Sequence, residues 1–363
     1  MFFEEYKEFL IQTTNEVYPK YIQNHILKGL EKEHIVNDDG NLSLFDDSMD
    51  ISEVPEEEKL AASIQHRTEA IKFIEEWEFN KHYKYSVIFR YDNLDMDKIN
   101  EGIEKNDIAN FSTSGELFDQ LVSTKRNGFG ELEFAKGAIP TFYETDEFIF
   151  LKFSIKYHFN NFQNGHVTKL KYPILVVFFK ELNIFEIRFD KIKNSYKDKD
   201  TLYVDNISMV HGWLRSKLGL NIIIVNLEPR IESICRDANN DVVVHSQCMS
   251  LRTGGKATLE VGGNTDNLLP ILGELKELMN RNKILFEESK EIKDLLEDFI
   301  SDTEETADLP WIALRWTNQI KAKEIIVKFQ HRYMGTNYSL LQYFGSQTQV
   351  ERMNYVTKYL IEN

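Results

Sequence analysis

One stretch of strict alternation between apolar and polar residues constrains the fold of this chain more than any other feature. From position 149 to position 159 every odd position is apolar, while positions 152, 154, 156 and 158 hold Lys, Ser, Lys and His. A two-residue period over this length predicts a β-strand, because successive side chains of a strand point to opposite faces. We therefore expect a strand with one buried face and one face in solvent.

Two further strands are predicted directly after it. Residues 173–179 form an almost continuous apolar run, and residues 184–192 return with apolar residues at alternate positions. A short polar turn at 180–183 joins the two runs, which is typical of a β-hairpin. Apolar residues at helical spacing occur on both sides of this region. The chain is therefore predicted to be an α+β protein with a central, mostly antiparallel sheet and flanking helices.

Four regions are predicted, because a chain of 363 residues rarely forms a single core. Residues 1–80 are expected to be a helical N-terminal region with an acidic linker at 31–55. Residues 81–265 are expected to be the central antiparallel-sheet domain. Residues 266–308 would hold a long amphipathic helix and an acidic linker, and residues 309–363 a small basic α+β domain.

Composition favours a cytoplasmic protein, and richness in Asn, Lys, Ile, Phe and Tyr favours a bacterial source. The first residues contain an acidic pair where a secretory signal needs basic and apolar residues. No apolar run approaches the ~20 residues that a membrane-spanning helix requires. Cys235 and Cys248 lack metal-binding spacing, so two reduced thiols are expected. The net charge is −16, but it is unevenly distributed, so a local basic surface remains compatible with it.

The polar face of the predicted sheet is the first candidate site. Residues 152–199 hold ten basic and four acidic residues. A basic face of this kind binds the phosphates of nucleic acid. The predicted nucleic-acid-binding residues are Lys152, Lys156, His158 and Arg188. The alternative is an ordinary solvated sheet face without a ligand.

A metal-dependent nuclease of the restriction-like type is the enzymatic alternative. Such enzymes hold Mg²⁺ between carboxylates on neighbouring strands, with a basic residue close by. Glu186 and Asp190 are the candidate carboxylates, and Lys152 or Arg188 the candidate cation. Arg188 stands where these nucleases have Lys, and the upstream acids are distant, so the pattern departs from that type.

The longest helical pattern lies between positions 268 and 299. Its apolar residues recur at spacings of three and four, which is typical of a coiled-coil seam, and a continuous helix here would be roughly 50 Å long. Asn282 occupies a seam position, where a buried Asn fixes the register of the helices. The predicted contacts with a partner or second copy are Leu268, Ile271, Leu275, Leu278, Asn282, Leu285, Ile292, Leu296 and Phe299.

Packing within the protein's own core is the alternative for this helix. A third apolar column widens the stripe beyond a two-stranded seam and suits a broader contact. The column consists of Leu272, Met279, Phe286 and Ile300.

No catalytic or cofactor motif is complete in this sequence. The glycine-rich run at 253–266 lacks the residues of a phosphate-binding loop, and the histidines lack metal-binding spacing. We therefore expect a non-enzymatic binding or adaptor subunit of a multi-protein assembly, with a protein partner or a second copy. Contact with nucleic acid, as in anti-phage defence, is a further expectation, whereas a membrane or a small-molecule cofactor is not. The first alternative is the nuclease, which would use Mg²⁺ as its cofactor. The second alternative is a pure oligomeric scaffold.

Overall fold

A computed structural model describes residues 2–40, 47–92, 95–106, 108, 110–111, 140–160, 167–193, 200–236, 241–250, 256–260, 270–306, 308–317, 324–346 and 348–362. The chain forms two compact units. Unit 1 contains Met1–Val225 together with Ser346–Asn363, and unit 2 contains Asn226–Gly345. Helices and antiparallel strands make up both units, which confirms the predicted α+β class.

An antiparallel sheet forms the centre of unit 1. Its strands are β3 (Tyr85–Tyr91), β4 (Thr141–Glu144), β5 (Phe148–Asn160), β6 (Val167–Phe179), β7 (Ile184–Phe189) and β8 (Ile222–Ile224). They lie in the order β8-β3-β7-β6-β5-β4. The long alternating stretch is β5, and the predicted hairpin is β6–β7, in which Phe179 pairs with Ile184. A separate parallel pair, β1 (Val36–Asn37) and β2 (Met49–Asp50), lies within the predicted acidic linker.

Helices cover both faces of this sheet. The helices of unit 1 are α1 (Phe2–Glu16), α2 (Lys20–Lys32), α3 (Lys59–His66), α4 (Thr68–Asn80), α5 (Asp95–Lys105), α6 (Leu202–Lys217) and α11 (Glu351–Glu362). On the apolar face, Phe153 of β5 packs edge-on against Trp213 of α6, with ring centroids 5.2 Å apart. On the polar face, the Thr13 hydroxyl of α1 donates to the carbonyl of Lys171 over 2.8 Å.

The prediction that the polar face of β5 meets solvent is therefore wrong. Lys152 and Ser154 on this face are buried, as are Glu186 and Arg188 of β7, which point the same way. Alternation reports which residues share a face, but it does not report whether a helix covers that face. Charged side chains of α4 neutralise those of the sheet, so a polar face is buried without isolated charges.

The strands of unit 2 are antiparallel as well. They are β9 (Val242–Ser250), β10 (Lys256–Glu260), β11 (Asp308–Trp316), β12 (Ile325–Gln330) and β13 (Leu340–Tyr343), in the order β10-β9-β11-β12-β13. Helix α7 (Glu228–Arg236) precedes β9. The structure divides the chain differently from the four predicted regions, because β11 pairs with β9 and α11 belongs to unit 1. These are long-range pairings, which local sequence patterns do not report.

The predicted continuous helix at 268–299 is instead three helices. They are α8 (Pro270–Arg281), α9 (Lys283–Glu288) and α10 (Lys290–Thr306). The backbone is non-helical at Asn282 (φ −111°, ψ 33°) and at Ser289 (φ −115°, ψ 60°). The Asn282 side chain donates to the carbonyl of Leu278 over 2.9 Å, which shows the competition with the backbone that makes Asn a poor residue within a helix.

The chain reverses direction across these two breaks. Met279 of α8 and Ile300 of α10 form one buried cluster, with Leu275, Phe286 and Leu296 packed against it. Twenty-one residues of unbroken helix would hold these two side chains about 30 Å apart. The expected seam residue Asn282 therefore marks the end of a helix. Leu268 and the side chain of Ile271 lie outside the described residues.

Candidate functional site

The sequence places two regions under consideration: the charged face of the unit 1 sheet, and the helices α8–α10 of unit 2. On the charged face, the predicted residues belong to three separate sets of polar contacts. None of these sets is a surface groove lined with free cations.

A buried ion cluster joins α4 to the sheet. Lys152 of β5 donates to Glu75 over 2.6 Å and to Glu78 over 3.1 Å. Lys171 of β6 donates to Glu78 over 2.6 Å and also contacts Glu75. Glu75 and Glu78 are three residues apart on α4, so both carboxylates lie on one side of the helix. The cluster is neutral, with two ammonium groups and two carboxylates.

Electrostatics keeps Glu78 and Lys171 charged. Burial alone would raise the pKa of Glu78, but Lys171 and Lys152 outweigh burial and hold this pKa at about 2. Burial alone would lower the pKa of Lys171, but Glu75 and Glu78 raise it above its ordinary value. Lys152 is 1% exposed and is held by both carboxylates. It is therefore inaccessible to a phosphate group.

Asp190, a candidate nuclease carboxylate, belongs to a second set of contacts. It accepts a hydrogen bond from Lys81. The Lys81 ammonium also lies 4.4 Å from the ring centroid of Tyr18 and 4.3 Å from that of Tyr83, where it makes cation–π contacts. Asp190 is thus already paired with a buried cation.

Glu186 and Arg188 form the third set. Arg188 donates through Nε to Glu186 over 2.8 Å, and through Nη2 to the side-chain oxygen of Asn354 on α11 over 2.7 Å. Both members of the ion pair are fully buried. Half-buried His82 has an Nε2 atom that solvent does not reach, and burial together with Arg188 lowers the pKa of His82 to about 3. The His82 imidazole is therefore neutral in the folded protein.

The structure does not bring the four predicted nucleic-acid-binding residues together on one surface. Lys152 and Arg188 are buried in different sets of contacts. Lys156 is half-buried, with its ammonium 4.8 Å from the ring centroid of Phe9. His158 lies in β5, but its side chain is outside the described part. Nucleic-acid binding through this set remains a prediction that the observed burial does not favour.

The nuclease residues are likewise dispersed among these contacts. Glu186 pairs with Arg188, Asp190 with Lys81, and Lys152 with Glu75 and Glu78. A Mg²⁺ site needs carboxylates that converge on one point and are not already neutralised. Within the described ranges, the His, Cys, Asp and Glu side chains form no group of three with the geometry to hold a metal ion.

The helices of unit 2 carry five exposed large aliphatic side chains. We call Leu278, Ile284, Leu285, Ile292 and Leu295 the apolar ridge. These side chains are between 51% and 74% exposed. Phe299 lies further along the same side of α10 and is 56% exposed. A run of large aliphatic residues in solvent is unusual for a protein surface and is typical of an interaction site.

The predicted seam divides between this ridge and the interior. Leu278, Leu285, Ile292 and Phe299, which recur every seven residues, are exposed. Leu275 and Leu296 instead pack with Met279, Phe286 and Ile300. One part of the wide apolar stripe therefore packs inside the helices, and the other part is exposed to solvent. Ile284 and Leu295 were missing from the predicted set because they fall outside the three-four spacing.

Substitution of Glu78 by Gln should strongly destabilise unit 1. The change removes one carboxylate and leaves two buried ammonium groups with a single counter-charge, which costs about 3–5 kcal/mol. Glu76→Gln on the exposed side of α4 is the matched control and should cost less than about 0.5 kcal/mol. Urea unfolding of both variants measures the difference. Equal stabilities would show that the cluster does not hold α4 in place.

Stability should fall as the pH is lowered, in part because of His82. Its folded pKa is about 3 and its ordinary value is 6.5, so below about pH 6.5 the unfolded chain binds a proton that the folded chain excludes. From about pH 7 to about pH 5 this linkage costs about 2 kcal/mol. His82→Gln should lose that much less stability than the wild type over the same range in urea unfolding. Exposed His66→Gln should keep the wild-type dependence, and a matching loss in both variants would contradict the assignment.

The two halves of the apolar stripe should respond differently to truncation. Ile300→Ala removes buried methyl groups from the Met279 cluster and should cost about 2–4 kcal/mol. Leu295→Ala removes a side chain that is 70% exposed and should change stability by less than about 0.5 kcal/mol. Chemical unfolding of both variants is the measurement. A large loss for Leu295→Ala would mean that the ridge is part of the core.

Comparisons with known proteins give no family to which the chain can be assigned. No protein-family model matches the sequence, and no curated protein matches it significantly. Among the described residues, none of the helices combines the length and the apolar character needed to cross a membrane.

Proposed function

We propose that this protein is a non-enzymatic binding subunit of a multi-protein assembly and that it binds its partner through the apolar ridge. The observation that carries the proposal is the exposure of the five ridge side chains beside a cluster that is already packed. The internal packing of α8–α10 does not use these side chains. Their exposure is therefore not explained by the folding of the helices.

The energetics of the ridge support binding. Full burial of a Leu or Ile side chain is worth about 1.5–3 kcal/mol. Burial of five such side chains by a partner would offset part of the free-energy cost of association, which is about 4–15 kcal/mol. A few well-packed residues at the centre of a contact commonly supply most of its affinity.

The charged face of unit 1 supports a structural role more than a chemical one. Its acids and bases are matched within the fold, and each candidate nuclease residue is held by a different counter-charge. Catalysis by these residues would require at least one of these buried pairs to break, which costs several kcal/mol. The arrangement therefore favours the adaptor over the nuclease.

An oligomeric scaffold remains the alternative on the same ridge. A second copy of the chain would also bury these side chains, and then the protein would need no other partner. The mass of a cross-linked product formed at the ridge distinguishes a different partner from a second copy.

Cross-linking at the ridge tests the proposal. A photoreactive amino acid is placed at Ile284 or at Leu295 in the cell that makes the protein, and at exposed Glu76 of unit 1 as the matched control. Both ridge positions should give one adduct of the same defined mass, and the control position should not. The adduct should disappear on Leu285→Asp, because a charge in the centre of the ridge opposes burial.

Two outcomes would contradict the adaptor proposal. If neither ridge position gives an adduct beyond that at Glu76, the ridge is not a binding surface. If the adduct has twice the mass of the chain, the scaffold alternative is correct.

A further inference from the structure

We infer that the partner of the apolar ridge is a basic amphipathic helix, that is, a segment whose apolar strip is bordered by Lys and Arg. This inference rests on the proposed function and names the chemistry of the occupant. The inference follows from the acidic residues that border the ridge on α10. It also follows from the ion pairs that neighbouring cations make within the helices.

Acidic residues border the ridge on its open side. Successive residues of a helix are about 100° apart, so Ile292 and Leu295 form one strip on α10. Leu296 and Ile300 lie on one side of this strip and pack against the Met279 cluster. On the other side the same geometry places an acidic row, which we define as Glu291, Asp294 and Asp298. A partner that covers the strip must therefore pass over these three carboxylates.

The acidic row is available for pairing. All three of its side chains are exposed, and the structure gives them no ion pair within the described residues. Three neighbouring cations are used within the helices, and Lys290 lies exposed at the start of α10. Arg281 pairs with Glu277, Lys283 with Glu287 over 3.8 Å, and Lys293 with Glu297 over 3.7 Å. The net negative charge beside the ridge is thus not neutralised by the chain itself.

The charges disfavour a second copy as the occupant. Helix α10 carries seven acidic and two basic residues. Two copies that meet through their ridges would bring two such helices together, and like charges at close range oppose association. A bilayer with anionic headgroups meets the same repulsion. A basic segment gains from both features, because its apolar residues cover the ridge while its cations face the acidic row.

Helical form is inferred from the shape of the contact. On α10 the exposed side chains Ile292, Leu295 and Phe299 are spaced by three and four residues, and an amphipathic helix presents its own apolar residues at the same spacing. Complementary charges at the border raise the association rate and select between partners, while the apolar centre supplies most of the affinity.

Two matched peptides test the inference on the purified full-length chain. Both are about 18 residues long, or about five helical turns, with Leu at helical spacing. One has Lys at the bordering positions and the other has Glu. Fluorescence anisotropy should show at least about tenfold tighter binding of the Lys peptide, with an affinity that falls as salt rises. Leu295→Ser should weaken this binding.

Charge reversal provides the matched variants. Glu291→Lys with Asp298→Lys should weaken the Lys peptide about tenfold and should improve binding of the Glu peptide. Glu76→Lys with Glu104→Lys makes the same change of net charge on exposed positions of unit 1 and should leave both affinities unchanged.

Each other outcome overturns the inference. Equal binding of the two peptides, binding of neither, or equal effects of the two double variants would show that the acidic row does not select the partner. A dimer in sedimentation that is lost on Leu295→Ser would assign the ridge to a second copy. Binding to phosphatidylcholine vesicles that is lost on the same change would assign it to a lipid surface. The three peptide outcomes leave the proposed function standing, because a ridge-specific cross-link can still identify a protein partner. Assignment of the ridge to a second copy or to a lipid surface would contradict the proposed function as well.

Discussion

The position of α4 on the central sheet depends on the ion cluster of Glu75, Glu78, Lys152 and Lys171. Taking each of these groups out of water costs several kcal/mol, and only the opposite charges close by offset that cost. The four groups must therefore be buried together or not at all. A shift of α4 by one turn would move both carboxylates about 5 Å along the sheet and leave the lysines unpaired. The cluster thus specifies the register between helix and strands, which apolar contacts alone would define less sharply.

The same cluster shows what the sequence predicts about the sheet and what it does not. Alternation in β5 correctly predicts a strand and its two faces, and the two apolar runs with the polar turn between them correctly predict the hairpin that follows. Alternation predicts exposure wrongly, because polar side chains are also buried where opposite charges on a covering helix pair with them. A signal for burial exists in α4, where Glu75 and Glu78 lie on the side that also carries Ile71 and Ile74. Acids within the apolar side of a helix indicate buried counter-charges, but the two strands that supply these counter-charges lie between 74 and 96 residues away in sequence.

The helices of unit 2 show the same limit in another form. The periodicity at 268–299 correctly predicts helix, and the third apolar column correctly indicates that the stripe is wider than one seam. Periodicity does not locate the two breaks, because Asn and Ser are tolerated within helices when tertiary contacts favour it. Once the chain reverses at Asn282 and Ser289, the predicted seam divides. Only the structure shows which residues pack inside and which form the ridge.

The acidic row gives the ridge a second physical property besides partner choice. A free protein that exposes five large aliphatic side chains is prone to associate with itself. Carboxylates along the border oppose that association, because two ridges cannot meet without bringing two acidic rows close together. A basic partner is attracted to the acidic row instead of being repelled by it. The same carboxylates therefore oppose self-association of the free chain and stabilise the complex. On this argument, the charge of α10 and the exposure of its apolar strip are parts of one surface.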